Sequence, residues 1–166
     1  MNKDIVIVAG SRTAMGSFQG ALSSLSAPEL GAAVIQETLN RANVAARDID
    51  EVIMGCVLPA GLKQAPARQA MRLAGIPDHV GATTINKICG SGMKAVMQAA
   101  DAICAGNAEI VMAGGMESMS NAPYLLPKAR SGYRMGHGEV KDHMFQEGLE
   151  DAETGLSMGI LAQKMA

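Results

Sequence analysis

The chain of 166 residues is predicted to be an α/β protein, with a largely parallel sheet that carries helices on both faces. Two observations predict this class. Short apolar runs of strand length alternate with segments of helical periodicity, and two of those helical segments stop at glycines. The order of the elements predicts a βαβαβαβ arrangement, and ligands bind at the carboxyl ends of strands in such sheets.

The first half of the pattern has two strands and two helices. Residues 5–9 are an apolar run that predicts a buried strand, and a Gly- and Ser-rich connection follows. Ser26 and Glu29 have the spacing of a capping box, which predicts a helix start. Its apolar stripe would be Leu30, Ala33, Val34 and Leu39. Residues 50–57 predict the second strand, and residues 66–74 predict a helix that ends at Gly75.

The second half repeats the alternation. Residues 82–88 predict a third strand, and residues 109–113 predict a fourth that ends in two glycines. Between them lies a helix that ends at Gly106. Its apolar residues follow the i, i+3, i+4, i+7 rule and are expected to face the sheet: Met93, Val96, Met97, Ala100, Ile103 and Cys104. Its opposite side carries Ala95, Ala99 and Ala102, which would let another helix approach closely, although helix propensity explains alanines equally well.

Composition excludes several classes of protein. The net charge is −2, and no block of basic residues interleaves with aromatic ones, so nucleic acid is not an expected partner. The beginning of the chain does not fit a signal peptide, and no apolar stretch reaches the roughly 20 residues that cross a bilayer. Three cysteines without metal-ligand spacing predict neither a disulfide framework nor a metal site. A reducing cytoplasm is the expected compartment.

Cys89 is the candidate catalytic residue. It follows the third predicted strand, and Gly90 and Gly92 then turn the chain into a helix. The first turn of a helix has free N–H groups and the positive end of the dipole, so this position favours a thiolate, which is the nucleophilic form of cysteine. The same amides are suited to stabilise an oxyanion beside the sulfur. The 13 methionines are expected to be core filler, and the alternative is that a few of them line a flexible acyl pocket.

Four segments together resemble the thiolase family, the acyl-CoA acetyltransferases. They are the runs Ser11 to Gly20, Pro66 to Ala70, Asn86 to Ala95 (Asn-Lys-Ile-Cys-Gly-Ser-Gly-Met-Lys-Ala) and Ala113 to Ser120 (Ala-Gly-Gly-Met-Glu-Ser-Met-Ser). The resemblance implies an N-terminal thiolase α/β domain at residues 1–120, without its last strand, and part of a loop domain at residues 121–166. Met158-Gly159 resembles the element that borders the acyl pocket, so Met158 is a candidate substrate contact.

The resemblance implies a ping-pong acyl transfer. Cys89 would take the acyl group from a CoA thioester and pass it to the enolate of a second acetyl-CoA, or thiolysis would run in reverse. Coenzyme A thioesters would be substrates, with no covalently bound cofactor and no metal. Family members form dimers or tetramers, which implies a homo-oligomer without nucleic acid or membrane partners.

Other catalytic parts of the family lie in motifs that this sequence does not contain. The activating histidine, the acid/base cysteine and the Asn–water site belong to a second half, so the chain is expected to be a truncated thiolase that is inactive alone. Ser157 replaces a histidine that many biosynthetic members carry, and Leu161-Ala162-Gln163 departs from Thr-Ala-Glu. These departures question a short-chain biosynthetic preference.

Simpler roles are expected for the remaining candidates. His137 and His143 are expected to be solvated, Cys56 and Cys104 to lie in the core, and Glu117 to be structural. A mildly basic loop is expected to be a solvated face rather than a phosphate site: Lys128, Arg130, Arg134 and Lys141. Two alternatives to the truncated enzyme stay open, namely an acyl- or CoA-binding remnant and an assembly partner that docks through the alanine face. A ketosynthase reading is less favoured by the cysteine motif.

Overall fold

A three-stranded parallel sheet forms the centre of the protein. The computed structural model describes residues 4–166, and residues 1–3 of the predicted first domain lie outside the described part. The strands are β1 (Glu51–Gly55), β2 (Gly81–Ile85) and β3 (Val111–Gly115), in the order β2-β1-β3. In register, Gly55 lies opposite Ile85 on one side and Gly115 on the other, so all three strands end together.

Helices α1 (Ala27–Ala42) and α2 (Pro66–Leu73) cover one face of this sheet. The capping box at Ser26 and Glu29 begins α1, as predicted. Val52 and Met54 of β1 point to this face and share one core with Ile35 of α1 and Met71 of α2. Each of these side chains is essentially fully buried, which stabilises the fold by about 1.5–3 kcal/mol per side chain. The buried side of α1 is rotated from the predicted stripe: Ala33 is exposed and Ile35 is buried.

Helix α3 (Ser91–Cys104) covers the opposite face with its alanine side, rather than with the apolar stripe that was expected to face the sheet. Ala95 and Ala99 are buried, whereas Met93 and Met97 of the predicted sheet-facing stripe are 74% and 52% exposed. Helical periodicity shows that a helix has two sides but does not show which one faces the sheet. Here the small side chains face the sheet because the helix lies very close to it, which leaves the larger apolar side open.

The predicted βαβαβαβ arrangement was wrong in its first strand, residues 5–9. In the structure it has no strand pairing, and Val6, Ile7 and Val8 are 72%, 83% and 68% exposed. Its end is tied to α1 instead, since Arg41 Nη1 donates to the carbonyl of Gly10 at 3.1 Å. A buried parallel strand needs helices on both of its faces. No described element covers this segment, so its apolar run did not become a strand.

The chain after β3 has little regular structure. A short antiparallel pair, β4 (Tyr124–Leu125) with β5 (Lys141–Asp142), is followed by a π-helical segment (Phe145–Leu149) and by α4 (Met158–Met165). Short 3-10 turns lie at Ala46–Asp48 and Met119–Asn121. Among the described residues, no helix has both the length and the apolar character needed to cross a membrane.

Candidate active site

Cys89 lies in the loop between β2 and α3, two residues before the helix begins, and it is an exposed free thiol. The first helical hydrogen bond of α3 runs from Lys94 N–H to the carbonyl of Gly90 at 2.9 Å. The N–H groups of Gly92 and Met93 come before it and therefore have no acceptor within the helix. The thiol thus lies at the positive end of α3, as the sequence predicted.

Side chains on both sides of Cys89 hold its loop. Ser91 Oγ accepts from Lys87 N–H at 2.8 Å and donates to the carbonyl of Ile88 at 2.6 Å. Asn86 Oδ1 accepts from Ile88 N–H at 2.8 Å. Ile88 has a φ of +48°, a left-handed conformation that is a genuine outlier for a β-branched residue. Such strain costs roughly 1–3 kcal/mol and persists only where the surroundings hold it, and these hydrogen bonds do so immediately before the thiol.

Three glycines let the first turn of α3 rest directly on the ends of the strands. A Cβ at Gly55 would lie 2.6 Å from Ser91 Cβ and 2.8 Å from the backbone nitrogen of Gly92. A Cβ at Gly115 would lie 3.2 Å from Gly92 Cα. Neither Gly55 nor Gly115 can therefore gain a side chain without moving the helix start. The ends of β1 and β3 set the position of Cys89.

A cavity of about 400 Å³ opens beside Cys89. Backbone of the glycine-rich strand ends forms one side, and apolar side chains form most of the rest. Its apolar lining consists of Val57, Leu58, Ile88, Met116, Met119, Met144 and Leu149. Three of the 13 methionines therefore line a space next to the candidate nucleophile. Chemically, this arrangement can hold an apolar group near the Cys89 thiol and beside free amide donors.

Glu117, at the edge of the cavity, is a structural carboxylate. Its Oε2 accepts from Val57 N–H at 2.7 Å, and its Oε1 accepts from Leu58 N–H at 3.2 Å and from the Cys56 thiol at 3.6 Å. Cys56 is buried, as expected. Burial, followed by the negative charge of Glu117 and the hydrogen bond to it, raises the pKa of the Cys56 thiol to about 12. Cys56 is therefore not a nucleophile at neutral pH.

Met158 is not among the residues that line this cavity. It is the first residue of α4 and is 40% exposed. The preceding Ser157 is the N-cap of α4, since its Oγ accepts from Ile160 N–H at 3.5 Å. The structure gives Ser157 this capping role and leaves the substrate contact of Met158 as a prediction.

Two expectations for simpler roles were wrong. Cys104 is exposed at the end of α3 rather than in the core, because α3 faces the sheet with its other side. His143 is 5% exposed rather than solvated, because β5 and the segment after it fold back over the loop that follows β1. His137 is exposed as expected, and so is the basic loop: Lys128, Arg130, Arg134 and Lys141. The described residues contain no group of three or more His, Cys, Asp or Glu side chains that could hold a metal ion.

The residues that position Cys89 were not predicted from the sequence. Gly55 and Ser91 received no role, although Ser91 lies in the cysteine motif itself. The available signals were Asn86, two residues before Ile88 in the spacing of an Asx turn, and a strand that ends in glycine. The left-handed Ile88 has no signal in the sequence, since isoleucine avoids that conformation.

The comparisons with known proteins agree with this geometry. The sequence model described as "Thiolase, N-terminal domain" matches residues 5–166. The chain belongs to the thiolase family. Its solved relatives include the Acat5 thiolase of Ascaris suum in complex with coenzyme A. That structure has a TM-score of 0.94 and 41% identity, over 98% of this chain and 42% of the other.

Curated thiolases with similar sequences are named acetyl-CoA acetyltransferase. Those of Pseudomonas aeruginosa and Escherichia coli are each 54% identical over 99% of this chain, and that of Cupriavidus necator is 55% identical over 98%. The chain spans 42% of the length of each of these relatives. Membership of the family and the α/β fold of its N-terminal domain are thus established. These matches do not by themselves assign the relatives' activity to this chain.

Proposed function

We propose that this chain supplies the acyl-accepting nucleophile of an acetyl-CoA acyltransferase. The Cys89 thiolate attacks the thioester carbonyl of an acyl-CoA, a new sulfur–carbon bond forms, and the bond to CoA breaks to release the CoA thiolate. The acyl group then passes to the enolate of a second acetyl-CoA, or to CoA in the thiolytic direction. The observation that carries this proposal is the exposed thiol at the start of α3, beside an apolar cavity of about 400 Å³.

The chemistry of the first step fits the groups around the thiol. The positive end of α3 stabilises negative charge that develops during the reaction, and the N–H groups of its first turn are donors for the oxyanion of the tetrahedral intermediate. The second step needs a base for the acetyl methyl proton. The histidine and the second cysteine that the resemblance assigns to activation and proton transfer belong to motifs that these 166 residues do not contain. We therefore propose that the 166-residue chain accepts an acyl group without turning over.

The division into a catalytic α/β domain at residues 1–120 and a partial loop domain at residues 121–166 is part of this proposal. Met144, Gly148 and Leu149 of the second segment line the same cavity as Cys89, which supports a role of that segment at the acyl site. We keep Met158 as a proposed substrate contact. Homo-oligomer formation and a cytoplasmic location are likewise proposed, and three free cysteines suit a reducing compartment.

Isotopically labelled acetyl-CoA tests the proposal. We expect slow incorporation of at most one acetyl group per chain, mapped to Cys89 and lost in Cys89→Ser. Cys104→Ser is the matched control, because Cys104 is also exposed but lies at the far end of the same helix. Sustained formation of acetoacetyl-CoA by this chain alone would contradict the proposed lack of turnover. Equal labelling in Cys89→Ser would contradict the proposed nucleophile.

The open side of α3 favours a second candidate, namely assembly with another thiolase subunit or unit. Met93, Val96 and Met97 are 74%, 41% and 52% exposed and lie side by side, which is unusual for an isolated helix face. The sequence alone favoured docking through the alanine face, but that face is buried against the sheet, so the candidate surface is the methionine side. Replacement of Met93 and Met97 by Gln should abolish self-association measured by sedimentation, and unchanged association would reject this candidate.

A further inference from the structure

The segment that follows β1, residues 57–60, receives side-chain acceptors on three of its backbone N–H groups. Glu117 accepts from Val57 and Leu58 at 2.7 and 3.2 Å, and His143 Nε2 accepts from Ala60 N–H at 3.4 Å. Val57 and Leu58 also line the cavity at Cys89. One wall of that cavity is therefore held by two side chains that come from different parts of the chain.

The geometry at His143 defines which of its nitrogens carries the proton. Nε2 faces an N–H donor, so it must present its lone pair, and a neutral imidazole then carries its hydrogen on Nδ1. Nδ1 is itself buried, and no described residue accepts a hydrogen bond from it. A buried polar atom without a partner is costly, at about 1–3 kcal/mol. An apolar side chain would therefore be more stable than an imidazole at this position, so packing alone does not explain the histidine.

His143 also lies between two walls of the cavity, namely residues 57–60 and residues 144–149. Its backbone N–H donates to the carbonyl of Pro123 at 3.2 Å, next to the pair of β4 and β5. The following residues Met144, Gly148 and Leu149 line the cavity. At Gly148, an added Cβ would lie 3.7 Å from Leu58 Cδ2, so the segment 144–149 lies next to the segment 57–60 with room for little more than a methyl group.

We propose that His143 is a positioning residue that sets the separation of these two walls and thereby the size of the acyl group that reaches Cys89. By accepting from Ala60 N–H it ties the segment 144–149, with its apolar side chains, to the segment 57–60. This inference rests on the proposed function in one respect, namely that the cavity receives an acyl group. The placement of His143 itself does not depend on that function.

Three variants and two thiol reagents test the role. His143→Leu removes the acceptor and keeps an apolar volume, His143→Gln restores an acceptor, and His137→Leu is the matched control at an exposed histidine. Cys89 modification is timed with small iodoacetamide and with bulky N-phenylmaleimide, and its site is mapped by mass spectrometry. The ratio of the two rates cancels any general change in reactivity of the thiol.

We expect His143→Leu to change this ratio by about 2- to 12-fold, the equilibrium effect of one neutral hydrogen bond, with recovery in His143→Gln and no change in His137→Leu. Nitrogen chemical shifts of the wild-type protein should show the Nδ1–H tautomer of His143, and this measurement needs no variant. An unchanged ratio in His143→Leu, or an Nε2–H tautomer, would overturn the inference. A changed ratio without acylation of wild-type Cys89 by acetyl-CoA would uphold His143 and reject the proposed function instead.

Discussion

Gly55→Ala is predicted to move the start of α3 and with it the nucleophile. The added Cβ would lie 2.6 Å from Ser91 Cβ, 2.7 Å from the carbonyl carbon of Ser91 and 2.8 Å from the nitrogen of Gly92. Two of these three atoms belong to the backbone, so no rotation of a side chain removes the clash. Ordinary contact begins at 3.4 Å, which requires the helix start to recede by about 0.8 Å.

The expected cost has two parts. Overpacking of this kind destabilises a protein by about 1–3 kcal/mol, which urea unfolding measures. Misplacement of a reacting group by about 1 Å lowers a rate by roughly 100-fold, so acylation of Cys89 should fall by at least one order of magnitude. The loss of rate should exceed what the loss of stability explains, because the change lies directly under the loop of Cys89.

Gly81→Ala is the matched control for this variant. Gly81 is also a strand glycine with ordinary φ, and an added Cβ would meet nothing within 4 Å. Alanine should leave stability unchanged or raise it slightly by restricting the unfolded chain, as far as 1 kcal/mol. If Gly55→Ala kept both the stability and the acylation rate of the wild type, the close contact between β1 and α3 would not position Cys89.

Three further predictions concern other parts of the molecule. At a pH near 9.0, iodoacetamide should modify Cys89 and Cys104 in the native protein but not Cys56, because Cys56 is buried and its pKa is raised to about 12. Unfolding in urea should make Cys56 reactive as well. Rapid modification of Cys56 in the native protein would contradict its burial. Ala95→Leu should destabilise the protein by about 1–3 kcal/mol in urea unfolding while Met97→Gln changes little, and the reverse order would restore the original assignment of the α3 faces. Hydrogen bonds from the N–H groups of Ile110 and Glu109 lower the pKa of the Asp50 carboxyl below 3.8 in the folded protein. The Asp50 carboxylate therefore stabilises the fold above pH 3.8, and this stabilisation is lost as the pH falls through the pKa of the folded state. In Asp50→Asn, this loss should be missing from the acid-unfolding profile.

The ends of helices were predicted well from the sequence, because residues that cap or stop a helix act only on their immediate neighbours. Ser26 and Glu29 predicted the start of α1, and Gly75 and Gly106 predicted the ends of two helices, since each signal acts within a few residues. The position of Cys89 followed from the same reasoning. The alternation of apolar runs and helical segments predicted the α/β class, and the thiolase resemblance identified the family. The structure and the comparisons confirm both.

What the sequence could not predict depends on contacts between distant segments. The orientation of α3 was reversed because closeness to the sheet, which the glycines of β1 and β3 permit, decides which side faces it. The segment 5–9 was expected to be buried, but an apolar run does not specify which element covers it. His143 was expected to be solvated because its neighbours along the chain are polar, whereas its burial comes from the segment 57–60.

The central claim is that the start of α3 makes Cys89 the acyl acceptor, and the chain contains its own control. Cys89 and Cys104 are both exposed thiols at opposite ends of one helix. The helix dipole should stabilise the negatively charged transition state of acetylation at Cys89 by about 0.3–1 kcal/mol and destabilise the one at Cys104 by a similar amount. From this effect alone, acetylation by acetyl-CoA should favour Cys89 over Cys104 by roughly 3- to 30-fold. Site-resolved mass spectrometry of one reaction gives the ratio directly. A clear excess at Cys89 is the predicted result, and equal or greater acetylation of Cys104 would contradict the account.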